Sequence, residues 1–190
     1  IDQQQPIPLT WKTEQPIWVD QWPLTEEKLL HLHELIQEPL AAGHIVPTTS
    51  PWNTPVFVIL KKSQKWRLLQ DLCTVNAVIE PMGVLQPGLP SPSMLPSNWP
   101  IAVIDFKDLP FNFIQKTHFT FSVPSINQQS PAQRYHWTVL PHGMLSSPTI
   151  CHLTVASALQ PVQNARPRVL LYHYVDDILV AAEQEESLKD

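Results

Sequence analysis

Cysteine is almost absent from this chain and glycine is scarce, with 2 cysteines and 4 glycines in 190 residues. Cys73 and Cys151 stand far apart and without metal-ligand spacing. That excludes a disulfide framework and a zinc ribbon, and makes an intracellular, reducing compartment the default. Basic residues are also few: 12 Lys and Arg face 17 Asp and Glu, for a net charge of -5 and a pI near 5.9. Global charge therefore gives no support to nucleic-acid binding, and any such contact must rest on a local basic patch. Long apolar runs are missing as well, because prolines and charges interrupt each one before it could span a bilayer. No signal peptide opens the chain, which leaves no membrane role to expect. The chain begins at Ile1, and Glu183 to Asp190 reads as a helix barely begun, so a piece of something longer is expected.

Proline is what the chain has in abundance, 21 residues distributed between apolar runs. They read as punctuation of strands and turns, not as a disordered tract. A hydrophobic content of 43% over 190 residues is enough for a real core, in one domain or two small interlocked ones.

Within that frame Tyr174-Val175-Asp176-Asp177 stands out. Val169 to Tyr172 on one side and Ile178 to Ala182 on the other read as two strands, with the acids at the turn of a hairpin. Two unpaired charges beside a core are costly, so the pair is either solvated at a loop tip or neutralised by a cation. An Asp pair is also ordinary turn chemistry. A second stretch, Ile101 to Ile104, has a buried-strand pattern and ends at Asp105, with Lys107 and Asp108 just beyond. If that strand lies beside the hairpin, Asp105 and Asp176 face one another. Hard oxygen ligands gathered at strand ends suit Mg²⁺, and two such ions about 3.5–4 Å apart suit phosphoryl transfer.

Elsewhere the chain reads as packing elements. Residues 1 to 23 form an extended arm that lays its tryptophans on the body. Thr25 caps a helix over Glu26 to Glu38, with Leu29, Leu32, Leu35 and Ile36 on one face, Pro39 kinking or ending it and Gly43 closing the segment. His31, His33 and His44 lack a third ligand at metal spacing and read as ordinary surface or core histidines. Val56 to Leu60 and Trp66 to Leu69 form a hairpin whose tip gathers Lys61, Lys62, Lys65 and Arg67, the best candidate for phosphate contact. Pro81 to Pro100 is mostly irregular but lies against the body. His118 to Val123 and Arg134 to Leu140 read as strands. Leu140 to Met144 is a turn, followed by a helix capped by Ser147, with Pro148 at its first position, that ends near Pro161. The order of strands, helix and acidic hairpin is an α+β arrangement, not an alternating one.

Taken together, Ser50-Pro51-Trp52-Asn53-Thr54-Pro55-Val56-Phe57, the Lys61 to Arg67 hairpin, Ile104-Asp105-Phe106-Lys107-Asp108, Leu140-Pro141-His142-Gly143-Met144 with Ser147-Pro148, and Tyr174-Val175-Asp176-Asp177 resemble retroviral reverse transcriptases, in the same order. Gln86 to Pro92 and Leu159 to Val162 are similar to the betaretroviral Pol of endogenous retrovirus group K. The likeness covers nearly the whole chain. It implies the fingers and palm of a right-handed polymerase: fingers at 1–80 and 113–146, an incomplete palm at 81–112 and 147–190, and no thumb, connection or ribonuclease H domain.

The implied activity is RNA-directed DNA polymerisation, adding deoxynucleoside triphosphates to a primer 3′ end on an RNA or DNA template. By the resemblance Asp105, Asp176 and Asp177 are the catalytic carboxylates. Asp105 and Asp176, with the carbonyl of Phe106, are the ligands of two Mg²⁺ ions, for which Mn²⁺ can substitute. Lys61 and Arg67 hold the triphosphate, Asp108, Pro110 and Phe111 line the sugar pocket, and His142 and Gly143 flank nucleotide and template. The implied setting is the cytoplasm or a virus-like particle, and dimerisation is an expectation for full-length relatives. The chain also departs from the pattern. Pro110 replaces an aromatic gate and lacks a backbone N–H, His142 replaces a Gln, Cys73 replaces a fingers Arg, Pro39 interrupts the first helix, and the stretch from Phe113 to His118 is short. These departures, with the missing thumb, keep a second expectation open: an inactive endogenous remnant that at most binds nucleic acid.

Overall fold

The computed structural model describes residues 7–83, 95–105, 116–127, 130–174 and 177–183. The chain divides into two compact units, one built from Gln4–Pro81 and Pro110–Ser147, the other from Ile1–Gln3, Met82–Leu109 and Pro148–Asp190.

In the first unit, Glu26–Leu35 forms helix α1, capped by Thr25, whose side chain accepts from the Lys28 N–H. Its Leu29 and Leu32, with Ile36 just beyond, are buried together with Val56, Val58, Phe121, Val123 and Tyr135 in a hydrophobic core. The expected helix to Glu38 is instead interrupted at Ile36, and a short α2, Gln37–Ala41, follows it. Pro39 is the third residue of α2, where a backbone N–H has no intrahelical acceptor and its loss costs little. Gly43 closes the segment with φ of +71°, the left-handed conformation that favours glycine.

Strand β1 (Ile45–Pro47) then pairs with β6 (Gln133–Trp137), and β6 with β5 (Thr120–Val123), giving the sheet order β1-β6-β5. Both later strands differ from expectation. Lys116–His118 forms a 3₁₀ turn that delays β5 to Thr120, and β6 closes at Trp137, after which Thr138 N–H bonds the His44 carbonyl. Strands β2 (Val56–Leu60) and β3 (Trp66–Gln70) make a separate hairpin. Helix α3, Cys73–Ala77, follows directly.

The arm meets its expectation only in part, since Trp18 and Trp22 stay 53 and 44% exposed. Trp11 packs against Trp52 and His118, with ring centroids 5.4 and 4.4 Å away, and Trp22 lies 5.7 Å from Phe57. Gln21 lies along β2, donating Nε2 to the Val56 carbonyl and accepting from the Val56 N–H, both at 2.8 Å.

The second unit holds β4 (Ile101–Asp105), the long helix α4 (Ser147–Ala165), which begins at the last residue of the first unit, and the hairpin β7 (Leu170–Tyr174) and β8 (Asp177–Ala181), in sheet order β4-β8-β7. Every strand pair in the described residues is antiparallel. Two expectations need correction here. Helix α4 runs four residues past Pro161. The proline removes the bond to the Ser157 carbonyl, but both residues are exposed and water can take that role. The strand before Asp105 is not buried: Ile101, Val103 and Ile104 are 50, 64 and 47% exposed. It is an edge strand with one neighbour, and a continuous apolar run does not by itself reveal what covers it.

Candidate active site

The acidic centre grows from strand register. β4 and β8 pair over their full length, from Ile101 opposite Ala181 to Asp105 opposite Asp177. β7 and β8 pair Tyr174 with Asp177. Asp105 therefore closes one strand and Asp177 opens its neighbour, at the same end of the sheet. The expected neighbourhood of strand and hairpin is thus present. The position opposite Asp105 is Asp177, the first residue of β8, whereas Asp176 lies outside the described residues. Phe106, Asp108, Pro110 and Phe111 also lie outside them.

Asp177 is exposed, so its charge is solvated and costs little by itself. Carboxylates at adjacent strand ends are a hard oxygen donor set, and that chemistry fits a divalent ion of the Mg²⁺ type. Among the described residues no three His, Cys, Asp or Glu side chains gather as a metal cluster. His31 pairs with Glu34 at 2.9 Å and stacks on Trp66 at 4.6 Å, and His33 Nε2 lies 2.8 Å from the Pro124 carbonyl.

The cationic hairpin belongs to the first unit. Its register sets Leu60 opposite Trp66 and Ile59 opposite Arg67, and the tip is closed by Lys61 N–H to Lys65 O and Gln64 N–H to Lys61 O, both 2.9 Å. Gln64 adopts φ of +60°, which permits the tight reversal. Lys61, Lys62 and Lys65 are exposed, Arg67 is half-buried, and none forms a salt bridge with a described residue.

His142 and Gly143, in the same unit, form an exposed turn. Gly143 holds φ of +89°, and the turn is tied at Pro141, whose carbonyl accepts from Met144 N–H at 3.3 Å and from Ser147 Oγ at 3.2 Å. A residue that the sequence does not single out completes it. Asn76 of α3 donates Nδ2 to the Gly143 carbonyl and accepts from Leu145 N–H, each at 2.9 Å. Nothing local marks it, because its partners lie far along the chain.

Cys73 and His136, in the same unit, carry shifted ionisation. Cys73 accompanies Asp71, whose hydrogen bond and negative charge push the exposed thiol up. Burial, with Lys116 nearby, holds the His136 imidazole below its usual value. A cavity of about 580 Å³ lined by Pro47, Thr48, Thr49, Gln133, Arg134 and Tyr135 contains none of the candidate residues.

Helices and antiparallel sheets make this a chain of mixed α and β content, and comparison with known proteins gives its family. The family model described as reverse transcriptase (RNA-dependent DNA polymerase) matches residues 59–190, and the chain belongs to that family. It is 57% identical over 177 residues to the human endogenous retrovirus group K member 9 Pol protein, covering 91% of this chain and 16% of that protein. It is 54% identical over 192 residues to the Gag-Pro-Pol polyprotein of squirrel monkey retrovirus, covering 97% of this chain and 10% of the polyprotein. The same polyprotein of Mason-Pfizer monkey virus is 50% identical over 185 residues. The chain thus spans between a tenth and a sixth of these relatives' lengths.

Proposed function

We propose that this chain is the fingers and palm portion of an RNA-directed DNA polymerase that extends a primer by two-metal nucleotidyl transfer. The observation that carries the reading is the register of β4 against β8, which sets Asp105 opposite Asp177 beside the Tyr174 closure of the hairpin. Asp105 and Asp176, with the Phe106 carbonyl, hold the metal ions, and Asp177 adds negative charge beside them. Bound there, two Mg²⁺ ions supply charge neutralisation for the attacking and leaving oxygens of the transfer.

The chain's own groups do the positioning. Lys61 and Arg67 hold the triphosphate, a role supported by their lack of carboxylate partners among the described residues. Asp108, Pro110 and Phe111 border the sugar, and His142 with Gly143 flanks the base and template. Fingers at 1–80 and 113–146 and palm at 81–112 and 147–190 follow, a division supported by the two compact units. The template is RNA or DNA, and the work belongs to the cytoplasm or a virus-like particle.

Primer extension on an RNA template with Mg²⁺, comparing the chain with Asp176→Asn, tests the proposal. Extension by the parent and its loss by orders of magnitude in the variant support it. Equal extension by both overturns the assignment of the acids. A second reading, an inactive remnant, is favoured by Pro110, which offers neither an aromatic gate nor an N–H donor. Binding of primer–template without extension by the parent is its signature.

A further inference from the structure

We infer that Asn76 is a positioning residue that sets the His142–Gly143 turn for the nucleotide, an inference resting on the polymerase reading above. The side chain makes two bonds to one turn, donating to the Gly143 carbonyl and accepting from the Leu145 N–H, both at 2.9 Å. A carboxamide is the natural group for this, because it offers a donor and an acceptor on one rigid plane. The bonds bracket the point where the turn is least able to hold itself. Gly143 has φ of +89°, and a Cβ placed there would meet nothing within 4 Å, so no packing fixes the peptide.

Asn76 also has a fixed base. It lies on α3, which starts three residues after β3 ends, and its own N–H bonds the Leu72 carbonyl at 2.7 Å. Val75 and Leu72 beside it are buried. β3 carries Arg67 opposite Ile59, and its terminal Gln70 donates Nε2 to Thr54 Oγ1 at 2.7 Å and accepts from Trp137 Nε1 at 2.7 Å. The strand bearing the phosphate-holding guanidinium is therefore continuous with the helix that grips the base-flanking turn. Asn76 joins segments 67 and 69 residues apart that the proposed pocket uses together.

The test separates the turn's contribution from that of the cations. Binding of inorganic tripolyphosphate and of dGTP, each with Mg²⁺, is measured by calorimetry on the whole chain, together with the thermal midpoint. Tripolyphosphate engages the phosphate-holding groups without base or sugar, whereas dGTP also presents both to the turn. The parent is expected to prefer dGTP. In Asn76→Ala that preference falls about tenfold, the scale of losing two neutral hydrogen bonds, while tripolyphosphate affinity is unchanged. Asn76→Asp keeps the acceptor for Leu145 N–H but loses the donor to Gly143 and is expected between the two.

A variant that retains the full dGTP preference overturns the inference and leaves the polymerase reading standing. So does a parallel loss of both affinities with a lowered thermal midpoint, since that marks a residue that only supports the fold. A parent that binds neither compound overturns the polymerase reading and the inference with it.

Discussion

Asp71 pushes the exposed thiol of Cys73 up, because a carboxylate that hydrogen-bonds the residue and accepts its N–H at 3.0 Å disfavours a second negative charge. Cys151 is buried, so alkylation in the native chain reports on Cys73. Asp71→Asn is expected to speed alkylation by iodoacetamide severalfold near pH 8, because the thiolate fraction rises as the pKa falls back. At Gly143 an added methyl has room, yet Gly143→Ala is expected to cost about 1–2 kcal/mol in urea unfolding through the positive φ alone. The acids at 105, 176 and 177 were conspicuous as candidates because a charge inside an apolar run contradicts its surroundings and demands a reason. Asn76 was not. A lone asparagine near the end of a short helix is unremarkable in sequence, and its significance lies in a turn about seventy residues away.

Among the elements, α1 was readable from the 3.6-residue recurrence of its leucines, and the burial of Leu32 gives that reading an energetic test. Leu32→Ala, at 0% exposure, is expected to destabilise the chain by about 2–5 kcal/mol in chemical denaturation. Helix ends were less readable. Pro39 and Pro161 look like stops, but one falls in a first turn and the other on a solvated surface, where each costs less than in a buried helix interior. β4 was recognised as a strand but not as an exposed one, since coverage belongs to the tertiary arrangement and not to the apolar run.

β6 carries its own pH response. His136 is half-buried, and burial together with Lys116 lowers its folded-state pKa, so the unfolded chain takes up the proton first as pH falls. Stability from this group is complete above the ordinary histidine value near 6.5 and declines below it until the folded pKa is passed. His136→Gln should flatten that part of the pH–stability curve, measured by urea midpoints between pH 7 and 5.

For the whole molecule, the net charge of -5 makes binding to nucleic acid depend on a few local cations. Replacing Lys61, Lys62 and Lys65 by Gln is expected to weaken primer–template binding and to reduce the slope of log affinity against log salt by about two. Filter binding across a salt series checks this. The α+β class and the order of motifs could be read from the sequence. That each compact unit is assembled from separated segments is not written in local pattern, since the contacts that define it join residues far apart in the chain.

At the scale of the whole chain the arm also guards the fold from its neighbours. Among the described residues β2 has only β3 beside it, and the Gln21 carboxamide takes up the Val56 N–H and carbonyl on the other side. Stripped of that carboxamide, Val56 would offer its peptide N–H and carbonyl to the β2 of another copy, and concentration would begin to decide whether the chain stays single.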